Sequence, residues 1–450
     1  MSETIAALST PPGISGLAVI RLSGPEAIEI TDSIFTGKRN IYEAPTHSIS
    51  YGRISDGGIE IDEVTISLFK APNSYTGEDV IEIGCHGGPF VVKQILELLF
   101  KRGAIPAAPG EFTQRAFVNG RMDLTQVEAV ADIIHSASVP GTQISARQLA
   151  GNFTGRLQEL RKNLLDTASL LELELDFAEE DLEFVHKDKI KSSIMSTIEY
   201  CSSLAQSYRS SEILRSGYFI AIAGFPNSGK STLFNALLKR NRAIVSEIPG
   251  TTRDYLEESL IIDGITINIT DTAGIRESAD VIEIQGIALV ETILEQANMI
   301  LIINDLNEGR EKSNALYEEI SNKYHNTYTI LLQNKIDLAG TIPTDNLKHE
   351  LFISAKTYAG LDSLRSRIKQ EALSSAEGLK DVLINRRHAD LLEKLIRELE
   401  SAIQALDTEM ENEIIAIDIK HATKTLGELT GDIWNEDVIN NIFARFCIGK

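Results

Sequence analysis

The stretch YFIAIAGFPNSGKSTLFNALL, residues 218–238, decides the fold. It opens on an apolar run, Tyr218 to Ala223, which reads as a buried strand. It passes through G-x-x-x-x-G-K-S, Gly224 to Ser231, and enters the helical pattern TLFNALL. Strand, glycine loop and helix in that order make a phosphate cradle. Gly224 and Gly229 let the backbone wrap an anion, while loop N–H groups and the helix N-terminus supply positive potential. Lys230 is placed to reach the β- and γ-phosphates, and Ser231 to give magnesium an oxygen.

Downstream motifs narrow the nucleotide. NKID, Asn334 to Asp337, follows the apolar strand YTILLQ, and SAK, Ser354 to Lys356, follows LFI. Asp337 can accept from both N–H donors on the guanine edge, which adenine does not offer. With DTAG, Asp271 to Gly274, between them and the glycine loop, the set predicts a GTP site. Its residues are Asn227, Ser228, Gly229, Lys230, Ser231, Thr232, Asp271, Thr272, Ala273, Gly274, Asn334, Lys335, Asp337, Ser354, Ala355 and Lys356. PGTTRD falls where a first switch loop belongs, and Thr252 is its better-placed magnesium ligand. One position does not conform. After DTAG a Ras-type enzyme carries a Gln that orients the attacking water. Here the residue is Ile275, which cannot hydrogen-bond a water. Either the chain hydrolyses nothing or another group does the work.

The chain has 450 residues, 43% apolar, with net charge -22 and pI about 4.9. That length predicts several domains. So acidic a chain is a poor match for bulk nucleic acid, so RNA contact must be local or come through a partner. Cys85, Cys201 and Cys447 are too few and scattered for a disulfide framework or a zinc site. They suit a reducing cytosol, and the N-terminus has no basic start or apolar core of a signal peptide. The run MILIIN is far too short to span a bilayer, so no membrane role is expected.

Texture divides the chain into a multi-domain α+β, all-α and α/β architecture. Residues 1–118 mix β-rich runs (LAVIRLSG, VTISLF, DVIEIGC) with Gly/Pro turns and one helical stretch, an α+β domain. Residues 119–216 are helical. Residues 217–374 alternate strands and helices, a Ras-like domain, and residues 375–450 return to helix. Helix on both sides of an α/β block predicts an insertion whose ends lie close together. An acidic cluster runs from Glu172 to Glu183. It reads as a solvated helix end, with metal binding as the sharper alternative.

PGTTRD and DTAGIRE resemble the Era/Der-type GTPases, which lack the Ras glutamine. TPPGISGLAVIRLSG, SYTGEDVIEIGCHGGP, PGEFTQRAFVNGRMDLTQVEA and the terminal FCIGK extend the resemblance over essentially the whole chain. They are similar to the MnmE (TrmE) family of tRNA-modifying GTPases. The resemblance implies a folate-binding N-terminal domain that pairs into a homodimer, and a helical domain split by the GTPase domain. It also implies a partner, MnmG (GidA), which carries FAD and forms a heterotetramer or larger complex. Together they would modify C5 of the wobble uridine, position 34, of certain tRNAs with an aminomethyl or carboxymethylaminomethyl group. The one-carbon unit would come from 5-formyl- or 5,10-methylene-tetrahydrofolate. The partner's flavin and tRNA surface would explain the acidity, and the setting would be cytoplasmic.

Site residues carry over by motif. Ser246, Glu247, Ile248, Pro249, Gly250, Thr251 and Thr252 would line the nucleotide from the first switch. Asn227, Thr251 and the carbonyls of Ser246 and Ile248 would bind potassium. Glu283 would orient the water. Arg21, Glu82, Arg121 and Lys450 align with folate-contacting positions. Chemistry alone makes Glu82 a fair pterin partner, since a strand-end carboxylate can accept from the ring's amide and amine; bonding to nearby backbone N–H groups is the plainer alternative. Arg21 and Arg121 could hold glutamyl carboxylates, or be ordinary surface charges. His86 reads as a turn or core histidine, and Cys447 as a small buried apolar residue. A GTP-controlled assembly switch for ribosomes or other RNPs remains the alternative function, although such a switch has no need of folate-like motifs.

Overall fold

In the computed structural model, residues 3–176, 187–238, 257–271, 283–325, 327–339, 348–376, 381–408, 410–444 and 446–450 are described. The first sheet has strands β1 (Ile5–Leu8), β2 (Ser15–Ser23), β3 (Phe35–Gly37), β4 (Ser48–Asp56), β5 (Ile59–Phe69), β6 (Val80–Gly87) and β7 (Ile105–Pro106). Their order is β3-β4-β5-β6-β2-β1-β7, antiparallel except for the β1–β7 edge pair. Alternation along the strands places the functional side chains. In β6, Ile81, Ile83 and Cys85 are buried while Glu82, Gly84 and His86 point to the other face. In β2, Ala18, Ile20 and Leu22 are buried, and Arg21 stands directly opposite Glu82. The buried face is covered by the helix Pro89–Lys101, which turns Val92, Ile95, Leu98 and Leu99 inward. Pro89 suits the first helical position, where no N–H is needed.

This sheet belongs to a compact unit made of Met1–Ala131, Ala146–Cys201 and Asp390–Lys450. Its helical part pairs Asn152–Asp176 with Asn412–Thr430. Phe153, Leu157, Leu160, Leu164, Ala168 and Leu171 form one buried stripe at helical spacing. Ion pairs Arg161–Asp432 and Glu172–Lys420 flank it. Glu172 is the described side chain of the acidic cluster; those from 173 to 186 lie outside the described residues. Among the described residues, no group of three or more His, Cys, Asp or Glu is gathered for a metal, and no helix is long and apolar enough to cross a membrane.

The second unit is Asp132–Ser145 with Ser202–Ala389. Its strands are β8 (Tyr218–Gly224), β9 (Glu257–Ile262), β10 (Ile265–Asp271), β11 (Met299–Asp305), β12 (Tyr328–Asn334) and β13 (Glu350–Phe352). The order is β13-β12-β11-β8-β10-β9, parallel except for β9. Met299 to Ile303 are all buried, the unbroken apolar run of a strand covered on both faces. Helical residues outside 217–374 join this unit for local reasons. Arg215 forks onto Asp132 at 2.6 and 2.9 Å, Ser138 Oγ donates to the Leu214 carbonyl, and the Thr266 N–H donates to the Ala137 carbonyl. The ends of the α/β block meet: Leu361–Ala376 packs on Tyr208–Ser216.

Candidate GTP site and folate-like cluster

Parallel strands bring their carboxyl ends to one edge, where α/β sheets bind ligands. Ile222 of β8 is registered with Asp271, and Asp305 of β11 with Asn334 of β12. The glycine loop, Asp271 and the NKID motif therefore gather at that edge. Gly224 (φ 143°) and Gly229 (φ 102°) are required there. A Cβ on Gly224 would lie 2.1 Å from the Ile303 carbonyl oxygen, and one on Gly229 2.3 Å from Asn334 Nδ2. The helix Lys230–Leu238 begins at the end of the loop, burying Leu233, Phe234, Ala236 and Leu237.

Within the loop the Lys230 ammonium is held by the carbonyls of Gly224 and Phe225, at 3.1 and 2.7 Å. Ser231 Oγ donates to Asp271 Oδ2 at 3.0 Å. Two oxygens thus adjoin where a divalent cation is expected, a donor set suited to magnesium. Asn334 Nδ2 donates to the Ser228 carbonyl at 2.8 Å, and its Oδ1 accepts from the Ala355 N–H at 2.9 Å. Ser354 Oγ donates to Asp337 Oδ1 at 2.6 Å and fixes a carboxylate that stays exposed. Lys335 Nζ donates to the Asn227 carbonyl at 2.8 Å. Lys356, Ser231, Thr232 and Asn227 are exposed at this edge. One sheet edge thus joins all the described GTP motifs.

Ser246, Glu247, Ile248, Pro249, Gly250, Thr251, Thr252, Thr272, Ala273 and Gly274 lie outside the described residues. Glu283 opens the helix Glu283–Gln296, its side chain likewise outside them. Sequence reasoning missed Asp305, whose Oδ2 accepts from Lys335 Nζ at 2.8 Å. The signal was available: Asp305 ends the apolar strand MILIIND, as Asp271 and Asn334 end theirs. Also missed was a buried polar chain behind this edge. Asn304 donates to Gln333, Gln333 donates to Glu350, and Arg310 pairs with Glu350.

The N-terminal unit holds a second cluster. Arg21 Nε and Nη2 donate to Glu82 Oε1 at 3.0 and 2.8 Å. The guanidinium lies 5.1 Å from the Tyr75 ring centroid and 5.6 Å from that of Phe112. Among the described residues, Arg21 Nη1 is buried without a partner, an orphan donor that calls for an acceptor. Among the described residues, Oε2 of Glu82 also takes no donor. Lys450 belongs to the same cluster: burial pushes its pKa down, Arg21 adds to that, and Glu82 opposes it. The C-terminal turn is held by Ser9 Oγ donating to the Gly449 carbonyl at 3.0 Å. Arg121 is exposed, its stem over Gly77 in the loop that carries Tyr75. That loop is tied down by Asn119 Nδ2 on the Thr76 carbonyl and Tyr75 Oη on Thr113 Oγ1. Arg21, Glu82 and Lys450 are thus brought together, with Arg121 on the neighbouring loop.

Two expectations are corrected. His86 is neither in a turn nor in the core. It is borne on β6 and exposed, its Nδ1 2.7 Å from Asp62 Oδ1, because strand alternation turns it away from the buried face. Cys447 is exposed, not buried; Phe446 and Gly449 are the buried residues of the terminal segment.

Comparison with known proteins places these features. The family model "GTP-binding protein TrmE N-terminus" matches residues 4–121, and "MnmE helical domain" matches residues 124–447. Curated relatives named tRNA modification GTPase MnmE are similar over the full chain. The one from Christiangramia forsetii is 40% identical, covering 100% of both chains. That from Cytophaga hutchinsonii is 40% identical over 100% of this chain and 98% of its own. That from Flavobacterium johnsoniae is 41% identical over 100% and 99%. The match of both family models and the full-length identity show that the chain is a GTP-hydrolysing enzyme of the MnmE (TrmE) family of tRNA modification GTPases.

Proposed function

We propose that this GTPase modifies C5 of the wobble uridine, position 34, of certain tRNAs, acting with the FAD-carrying partner MnmG (GidA). The group added is aminomethyl or carboxymethylaminomethyl. The observation that carries this reading is the presence, in one chain, of a GTP site and a separate cluster suited to folate. A bare assembly switch has no use for a half-buried Arg21 whose Nη1 has no partner among the described residues, beside Glu82 and Lys450.

At the GTP site, the Lys230 ammonium would exchange the carbonyls of Gly224 and Phe225 for phosphate oxygens. Asn334 would keep the guanine loop on the phosphate loop, and Asp337 would read the guanine edge. Ser231 and Thr252 would hold magnesium, which neutralises phosphate charge. Asn227, Thr251 and the carbonyls of Ser246 and Ile248 would hold potassium, in place of an arginine finger's charge. Glu283, rather than Ile275, would orient the attacking water.

At the folate-like cluster, Glu82 would accept from the pterin edge through Oε2, the oxygen that Arg21 leaves open. Arg21, Arg121 and Lys450 would bind the carboxylates. A 5-formyl- or 5,10-methylene-tetrahydrofolate held there supplies the one-carbon unit. N-terminal domains would pair into a cytoplasmic homodimer that recruits the partner. The decisive experiment is mass spectrometry of tRNA nucleosides from a deletion strain. Loss of the modified wobble uridine, restored by the wild-type chain, is expected; unaltered wobble uridines would overturn the reading.

A further inference from the structure

Two non-glycine residues with left-handed backbones face each other at the GTP site: Asn227 (φ 59°) and Lys335 (φ 66°). Such conformations cost free energy and persist where surrounding bonds determine them. The bond joining these two is Lys335 Nζ to the Asn227 carbonyl, at 2.8 Å. A lysine on a flexible stem does not settle in one place for a single carbonyl. What fixes it is Asp305, whose Oδ2 lies 2.8 Å from the same nitrogen. Asp305 is itself oriented, since its Oδ1 accepts from the Asn307 backbone N–H at 3.0 Å and from Asn307 Nδ2 at 2.9 Å. One oxygen anchors the carboxylate to the turn Leu306–Glu308, and the other is presented to Lys335. The pair is only partly exposed, 31% for Lys335 and 14% for Asp305. Burial favours the neutral acid, but the bonds from Lys335 and Asn307 outweigh it and hold the Asp305 carboxyl below its ordinary pKa.

We infer that Asp305 is a positioning residue of the GTP site: it holds Lys335 against the Asn227 carbonyl and so locks the phosphate loop to the guanine-recognition loop. The Asn334–Ser228 bond is a second tether between the same loops. Two tethers restrain a rotation that one alone permits. The inference rests on the GTP site and not on the potassium or folate readings, so it survives their failure.

The test measures dissociation of fluorescently labelled GDP from the full-length chain carrying Asp305→Ala, Asp305→Asn or Asp305→Ser. Asp305→Ala loses both the cap and the grip on Lys335, and dissociation should quicken about tenfold or more, the scale of one charge-assisted bond. Asp305→Asn keeps an oxygen within reach of Lys335 and should recover most of that loss. Asp305→Ser still caps the turn but falls short of Lys335. It should restore thermal stability while leaving dissociation as fast as in Asp305→Ala. Wild-type dissociation in Asp305→Ser would show that the residue only caps the turn and would overturn the inference, as would an unchanged rate in all three. If Asp305→Ala fails to fold, the contrast between Asn and Ser decides.

Discussion

Arg21 grips Glu82 by one oxygen only. Both of its donating nitrogens fall on Oε1, across a directly registered strand pair. The side chains are 13% and 29% exposed, so the carboxylate is held still at the edge of solvent with one oxygen still able to accept. A residue placed only for stability would more often be gripped by both oxygens in a fork. The chain should therefore bind 5-formyl-tetrahydrofolate in calorimetry, and Glu82→Ala should weaken that binding at least about tenfold, the scale of a charged hydrogen bond. Equal affinity would eliminate Glu82 from the pterin edge.

Much of this was readable from the sequence, and the limits have physical causes. Phosphate and guanine recognition rest on backbone turns, which need glycine and short polar residues at fixed spacing. Gly224, Gly229 and Asn334 therefore announced themselves. The sequence marked Glu82 as a strand carboxylate suited to a pterin, but nothing local said that Arg21 would stand opposite it. Their separation in the chain is 61 residues, and cross-strand register is a tertiary property. Glu350 was invisible for the same reason, since an acidic residue beside an apolar strand reads as an ordinary strand end; Asp305 carried a signal in its strand-end position, but its grip on Lys335 joins two strands 30 residues apart. His86 and Cys447 were misjudged because a single polar or small residue carries no sign of which face it occupies.

The chain behind the GTP edge gives a stability prediction. The Glu350 carboxylate is fully buried and takes Arg310 and Gln333. Arg310 is 22% exposed, so removing the acid takes a two-pronged charged partner from a mostly buried cation and an acceptor from Gln333. Glu350→Ala should cost about 3–5 kcal/mol, as breaking one partner of a buried pair does. Denaturant unfolding measures it, and a loss of less than about 1 kcal/mol would contradict the burial.

Thiol chemistry reports on the same cores. Burial pushes the Cys85 thiol up to about 11, with the Asp62 charge adding to the rise, and burial pushes Cys201 to about 12. Cys447 is exposed. At pH 8 an aromatic disulfide reagent should titrate one thiol in the native chain and three after unfolding. The linkage sign follows from the raised values. The unfolded chain releases these protons near pH 9 while the folded chain retains them, so this contribution is intact below about pH 9 and is lost as pH rises toward 11–12. Thermal melts should fall across that window. Three rapidly reacting native thiols would contradict the burial of Cys85 and Cys201.

Asn227 is exposed in the phosphate loop with its backbone in the left-handed region. Among the described residues its side-chain amide takes no partner, while its backbone carbonyl accepts from Lys335. GTP hydrolysis should be stimulated by potassium and nearly silent in sodium, and Asn227→Ala should lose that stimulation while still binding GDP. Comparable turnover of the wild type in the two salts would remove the cation assignment.

The water-orienting group is the remaining question that Ile275 raises. Phosphoryl transfer is catalysed mainly by positioning and charge stabilisation, and an isoleucine offers neither to a water. Glu283 begins the helix Glu283–Gln296, following the second-switch motif in the chain. A carboxylate there is a weak base when ionised, so the role proposed for it is to orient the water, directly or through a second one. Removing it should leave nucleotide affinity intact and lower kcat by about a hundredfold or more, within the range for positioned acid–base groups. Glu283→Gln keeps a hydrogen-bond acceptor and should retain more activity than Glu283→Ala. Single-turnover hydrolysis in saturating potassium, with GTP binding measured in parallel, separates the two effects. A fully active Glu283→Ala would return the task to another residue, and a variant that lost GTP affinity in proportion to its rate would make Glu283 a binding group instead.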